Sequence, residues 1–141
     1  MRGRLRMNFR VAERADLDST MRTGRRYKTY AGETGVSYQY FFEARRPVVR
    51  PEGQGEGADY TFVVTADQHP PFALKVFLSA RGLDRWRESS GRDLDPNEQY
   101  ASAKMRLFRA FDEEESLAES RLDLVVDHTN ILELLSTLGI E

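Results

Sequence analysis

Apolar and polar residues alternate strictly over three stretches of the chain. Val36, Tyr38, Tyr40 and Phe42 share one phase of the first, Tyr60, Phe62, Val64 and Ala66 one phase of the second, and Phe72, Leu74, Val76 and Leu78 one phase of the third. A period of two places successive side chains on opposite faces, so these are strands with one buried face. The other phase is polar at Ser37, Gln39, Glu43, Thr61, Thr65, Lys75 and Ser79, yet each strand also carries one large apolar residue there: Phe41, Val63 or Phe77. That second row is a candidate interface, to be covered by the N-terminal segment, another subunit or a partner.

A further strand over residues 25–30 precedes the first stretch, joined to it by Ala31-Gly32-Glu33-Thr34-Gly35, a glycine-containing hairpin loop. Pro47 is expected to end the strand over 36–44 because it withholds a ladder donor. Residues 47–58, with two prolines and three glycines, read as a mobile connection; no lysine or helix start follows that would make the glycines a phosphate cradle. Strands over 59–66 and 71–79 then turn through Asp67-Gln68-His69-Pro70.

Helical spacing takes over after residue 79. Leu83 and Trp86 suggest a short helix over 80–90 stopped by Gly91, and Asp95-Pro96-Asn97-Glu98 is a capping box with proline at the first helical position. The helix it opens reaches about residue 112, with Tyr100, Ala103, Leu107, Phe108 and Phe111 on one face. Residues 121–126 alternate again, with Leu122, Leu124 and Val126 inward, and 129–138 form a closing helix stopped at Gly139. A short edge strand over 8–11 and helical turns over 12–21 are expected in the N-terminal segment. The pattern predicts an α+β fold: an antiparallel β-meander of four to five strands with two to three helices packed on one face. Residues 1–23 read as a basic, partly flexible segment, and 24–141 as one domain.

The 141 residues suffice for an ordinary core, and 40% hydrophobic with 31% charged residues is a globular composition. No cysteine is present, which excludes thiolate catalysis, disulfides and cysteine metal sites. No apolar run reaches membrane-spanning length, so a cytoplasmic protein with no membrane contact is expected. The net charge of −2 is unevenly spread: residues 1–50 hold 12 Lys/Arg against 5 Asp/Glu, residues 51–141 hold 9 against 18. Such a split suits two halves that attract within the fold or across a dimer, or a basic surface for an acidic partner.

Candidate chemistry is sparse. His69 and His128 have no ligand-like neighbours, no serine sits in a nucleophile elbow, and Asp112-Glu113-Glu114-Glu115 is a run rather than a separated carboxylate pair. No metal, cofactor or catalytic residue is assigned. Three readings remain. The first is a non-enzymatic interaction or regulatory domain that self-associates as a homodimer, through Phe41, Val63 and Phe77 or through an edge strand. The second is nucleic-acid binding by the basic aromatic hairpin, with Arg25, Arg26, Lys28, Tyr30, Arg45 and Arg46 as contacts, since cations beside rings serve phosphate and base together. The third is a small-molecule cup between sheet and helices lined by Tyr38, Tyr40, Trp86 and Tyr100.

Overall fold

The computed structural model describes residues 3–5, 7–8, 27–51, 53–66, 69–120 and 122–141. Near its start, β1 (Gly3–Leu5) and β2 (Met7–Asn8) pair as a short antiparallel ribbon. Residues 9–11 of the expected edge strand and the helical turns expected over 12–21 lie outside the described residues, as do Arg25 and Arg26. The alternating stretches form one five-stranded sheet: β3 (Lys28–Ala31), β4 (Ser37–Arg50), β5 (Gly55–Ala66), β6 (Phe72–Ser79) and β7 (Leu124–Val126), in that spatial order. β3 to β6 are the antiparallel meander, each strand pairing with the next.

β7 differs from a meander strand by running parallel to β6. Between them the chain passes through α1 (Ala80–Ser90), α2 (Pro96–Glu113) and α3 (Leu117–Ser120), a crossover that returns it in the direction it left. Period-2 alternation at Leu124 and Val126 reports burial and carries no information on direction. The strand is also shorter than expected, since Leu122 is exposed. α4 (Ile131–Thr137) falls inside the expected 129–138.

Two other differences concern one place. Pro47 does not end β4, and residues 47–58 are not a loop: β4 and β5 stay paired from Phe42 opposite Phe62 out to Arg50 opposite Gly55. Among the described residues β3 pairs only with 37–40, so Pro47 sits on an edge strand, where a missing N–H costs no ladder bond. The ribbon closes in a tight turn because Gly53 and Gly55 adopt φ of 85° and 71°, a region that favours glycine. An apolar pattern is lost there because the ribbon reaches past the helices.

The helices start and stop as their capping residues dictate. Ser79 Oγ accepts from the Gly82 N–H at 3.0 Å to open α1, and Gly91, at φ 79°, ends it. Asp95 accepts from the Glu98 N–H at 2.8 Å while Glu98 accepts from the Asp95 N–H at 3.0 Å, so the expected capping box is complete. α1, α2 and α4 cover one face of the sheet, where Phe62, Val64, Val76, Leu107, Phe111, Leu124 and Ile131 are fully buried. Each such side chain contributes about 1.5–3 kcal/mol relative to exposure. The rings interlock across the layers: Tyr38 stacks on Phe111 at 4.2 Å and Tyr30 on Phe108 at 4.3 Å.

Phe77 points to the opposite face and is nonetheless fully buried. Its own chain covers it. The Arg50 guanidinium lies 4.2 Å from the ring centroid, and the ring edge fills the space that a side chain at position 57 would take, a Cβ there falling 2.6 Å from it. Only glycine at 57 permits that approach. Arg50 is held over the ring by Asp59 at 3.3 Å and Asp123 at 2.8 Å.

Candidate anion-binding seam

One extra residue in β4 sets up the site. The β4–β5 register shifts between Phe42 and Ala44, leaving Glu43 as a bulge. Before it, even-numbered residues of β4 face the helices; after it, odd-numbered ones do, because Arg45 pairs with Tyr60 and Pro47 with Ala58, both buried on the helix side. Arg45 and Arg46, adjacent in sequence and both candidate nucleic-acid contacts, are thereby sent to opposite faces. Arg45 joins the helix side, where its Nε donates to the Tyr60 hydroxyl at 3.3 Å and its guanidinium lies 5.8 Å from that ring.

α2 supplies the facing row. Tyr100, Lys104 and Phe108 recur every four residues and so stack along one side of the helix. Tyr100 meets Phe42 at 5.1 Å, and Phe108 meets Tyr40 at 5.6 Å. The Lys104 ammonium lies between, 5.7 Å from the Tyr100 ring and 5.8 Å from Phe108. On the sheet, Lys28 pairs with Tyr40 across β3 and β4, which brings a second ammonium to Lys104. Burial first, and then the charge of Lys28, hold the Lys104 ammonium below its ordinary pKa.

The result is a strip of cations and rings along the seam between β4 and α2: Arg45, Tyr60, Phe42, Tyr100, Lys104, Lys28. Among the described residues no carboxylate pairs with any of the three cations. The Tyr40 and Tyr100 hydroxyls have no hydrogen-bond partner there either, and they lie near each other. Burial, and for Tyr100 the neighbouring Tyr40 as well, push both above the ordinary tyrosine pKa, so they stay protonated donors. Phe42 keeps 39% of its surface exposed beside them. Positive charge, hydroxyl donors and an open ring face, with no carboxylate among them in the described residues, suit an anion that carries a flat group.

The remaining candidates are scattered. Tyr30 is tied into the fold: its ring stacks on Phe108, and its hydroxyl donates at 2.8 Å to Asp112, which also accepts from the Glu33 N–H at 3.1 Å. Burial, with the Asp112 hydrogen bond second, raises the Tyr30 pKa to about 12. Arg46 is on the other face, in a shallow hollow of about 250 Å³ with Glu43, Thr61 and Lys75. Phe41 and Val63 are half-buried on that face, Phe41 with the Tyr27 ring edge-on at 5.0 Å, whereas Phe77 is sealed.

The expected cup of Tyr38, Tyr40, Trp86 and Tyr100 does not form. Tyr38 and Tyr40 pack on Phe111 as core, and Trp86 is buried on α1 with Arg92 5.5 Å from its ring and no ring contact to the other three. Of the four, Tyr40 and Tyr100 meet at the seam. Lys104 and Phe42 were not among the sequence candidates. A lysine centred between two aromatics at i−4 and i+4 was the available signal for Lys104; for Phe42 there was none, because its phase marks it as core.

Among the described residues, no cluster of three or more His, Asp or Glu could hold a metal ion, and no helix is long and apolar enough to cross a membrane. No protein-family model, no curated protein and no solved structure matches the chain.

Proposed function

We propose that the chain binds single-stranded nucleic acid along the seam between β4 and α2. The observation that carries this reading is the pair of ammonium groups on Lys28 and Lys104, which no carboxylate neutralises among the described residues, with Lys104 over the Tyr100 ring that the exposed Phe42 ring meets. Unpaired like charges at close range cost stability, and an anionic ligand relieves that cost. A single strand offers phosphates to the cations and unstacked bases to the ring, and an open strip tolerates a polymer.

Anisotropy of a labelled 12-nucleotide oligonucleotide tests it. Three phosphate contacts give a log–log salt slope of about −2 for a single strand, so affinity falls roughly 20-fold between 50 and 200 mM salt. Lys104→Gln should flatten the slope by about 0.7, and Phe42→Ala should weaken binding with the slope unchanged. No binding at 50 mM salt, or a slope indifferent to Lys104, would refute the reading.

A second reading, self-association through the outer sheet face, is favoured by one observation. Glu43, Arg46 and Lys75 rim the same hollow without ion-pair partners among the described residues, and both signs of charge are what a two-fold contact needs. The edge of β4 over 43–47 is a poorer surface for it, since the Glu43 bulge, Arg45, Arg46 and Pro47 are the devices that blunt edge pairing. Light scattering that finds only monomer at tens of micromolar ends this alternative.

A further inference from the structure

Beyond Arg45 the seam opens into a cleft of about 390 Å³, roofed by the β4–β5 ribbon and floored by the start of α1 and the first turn of α2. That volume lies within the range of roughly 300–1,000 Å³ typical of ligand pockets. Pro47, Ala58 and Leu83 give it apolar walls, while Arg45, Gln99 and Glu56 are its polar groups. The three polar groups differ in what they leave available. Arg45 spends Nε on Tyr60, and its terminal nitrogens remain for a phosphate at the mouth. Gln99 donates its Nε2 to the Leu94 carbonyl at 3.2 Å, which leaves Oε1 as an acceptor. Glu56 has no ion-pair partner among the described residues, so its carboxylate accepts donors and repels phosphate.

We propose that this cleft receives one unstacked base of the strand bound along the seam, and that it prefers bases bearing an amino group. The inference rests on the seam reading. Apolar walls take the faces of a heterocycle, Glu56 keeps the backbone out, and the two acceptors match the N–H groups of cytosine, adenine or guanine better than those of thymine, which offers a single imino N–H. Arg45 stands at the junction and fixes the phosphate that precedes the inserted base.

Oligo(dC) and oligo(dT) of equal length, both pyrimidine strands, separate the two levels of the argument. Oligo(dC) should bind about fivefold more tightly than oligo(dT), one hydrogen bond to a charged or amide acceptor being worth about that factor. Leu83→Trp, which fills the cleft, should erase the preference while the salt slope stays at its parent value, because no phosphate contact is lost. Glu56→Gln, at an exposed position on the ribbon, is a second variant that should shrink the preference without touching the walls. Equal affinities for the two strands, or a preference that survives both variants, overturns the cleft while the seam stands. Absence of salt-dependent binding to either strand overturns both.

Discussion

Replacing Arg50 with methionine isolates the interaction that closes the outer face. The guanidinium lies over Phe77 and bridges Asp59 and Asp123. The Asp123 contact is worth little, since that carboxylate is 60% exposed and surface pairs give about 0–1 kcal/mol. Asp59 decides the outcome: its side chain retains only 15% exposure and would be left a half-buried, uncompensated anion. Breaking fully buried pairs costs about 3–5 kcal/mol, and solvent access at both partners here brings the loss to about 2 kcal/mol. Removing the cation from the ring adds up to about 1 kcal/mol, partly offset because methionine also packs well on aromatics. A total of about 2–3 kcal/mol lowers the melting temperature of a 141-residue chain by about 7–10 °C. Thermal unfolding followed by circular dichroism reads this directly. The cause is then separated from simple loss of packing by Asp59→Asn: in the double variant the stranded charge is gone, and roughly half of the loss should return. An Arg50→Met protein melting within 1 °C of the parent, or a double variant less stable than the single, would refute the account of how Phe77 is sealed.

Asp95→Ala removes the acceptor for the Glu98 N–H at the start of α2 and should cost about 1 kcal/mol, read as a drop of about 3 °C in melting temperature. Tyr30 has its pKa raised in the folded state to about 12, against about 10 unfolded, so the folded chain holds the proton longer; this stabilisation is complete below pH 10 and is lost as pH rises from 10 towards 12. Tyr30→Phe should therefore make the alkaline fall in melting temperature shallower over that window, and an unchanged fall would show that ionisation of the Tyr30 hydroxyl does not carry it.

The alternation at Tyr38/Tyr40, Tyr60/Phe62/Val64 and Leu74/Val76/Leu78 was legible because burial on a sheet face is a local, periodic demand on residue type. The capping box at Asp95 was legible for the same reason: its hydrogen bonds span three residues. What the sequence hid was non-local. Phe77 reads as half of an exposed apolar row, and only the return of Arg50 and Gly57 beside it through the β4–β5 ribbon shows that it is covered. The ribbon itself was masked by proline and glycine, residues that signal a loop where both strands lie inside a sheet and are tolerated on a strand that, among the described residues, pairs on one side only. The parallel entry of β7 was hidden because direction is set by the crossover through α1 and α2, not by the strand's own residues.

The bulge at Glu43 is where legibility and the candidate site meet. An unbroken period of two carried past Phe42 would keep even-numbered residues on the helix side, putting Arg46 and Val48 under the helices and Arg45 outside with Arg50 no longer above Phe77. One inserted residue reverses each of those placements: Arg45 comes to Tyr60, Pro47 to Ala58, and Arg50 to the outer face. The same shift completes the row of cations begun by Lys28 and Lys104 and brings proline to a wall of the cleft. A bulge is a register feature of two strands together, so neither strand's sequence announces it, and the parting of Arg45 and Arg46 to opposite faces was not legible for that reason. The seam is therefore a product of pairing geometry: deleting Glu43 leaves Ala44 opposite Thr61 and Arg45 opposite Tyr60, so the seam and the cover over Phe77 should survive as a regular ladder, whereas adding a second residue beside Glu43 would push the strand beyond it out of register with Tyr60 and should undo both.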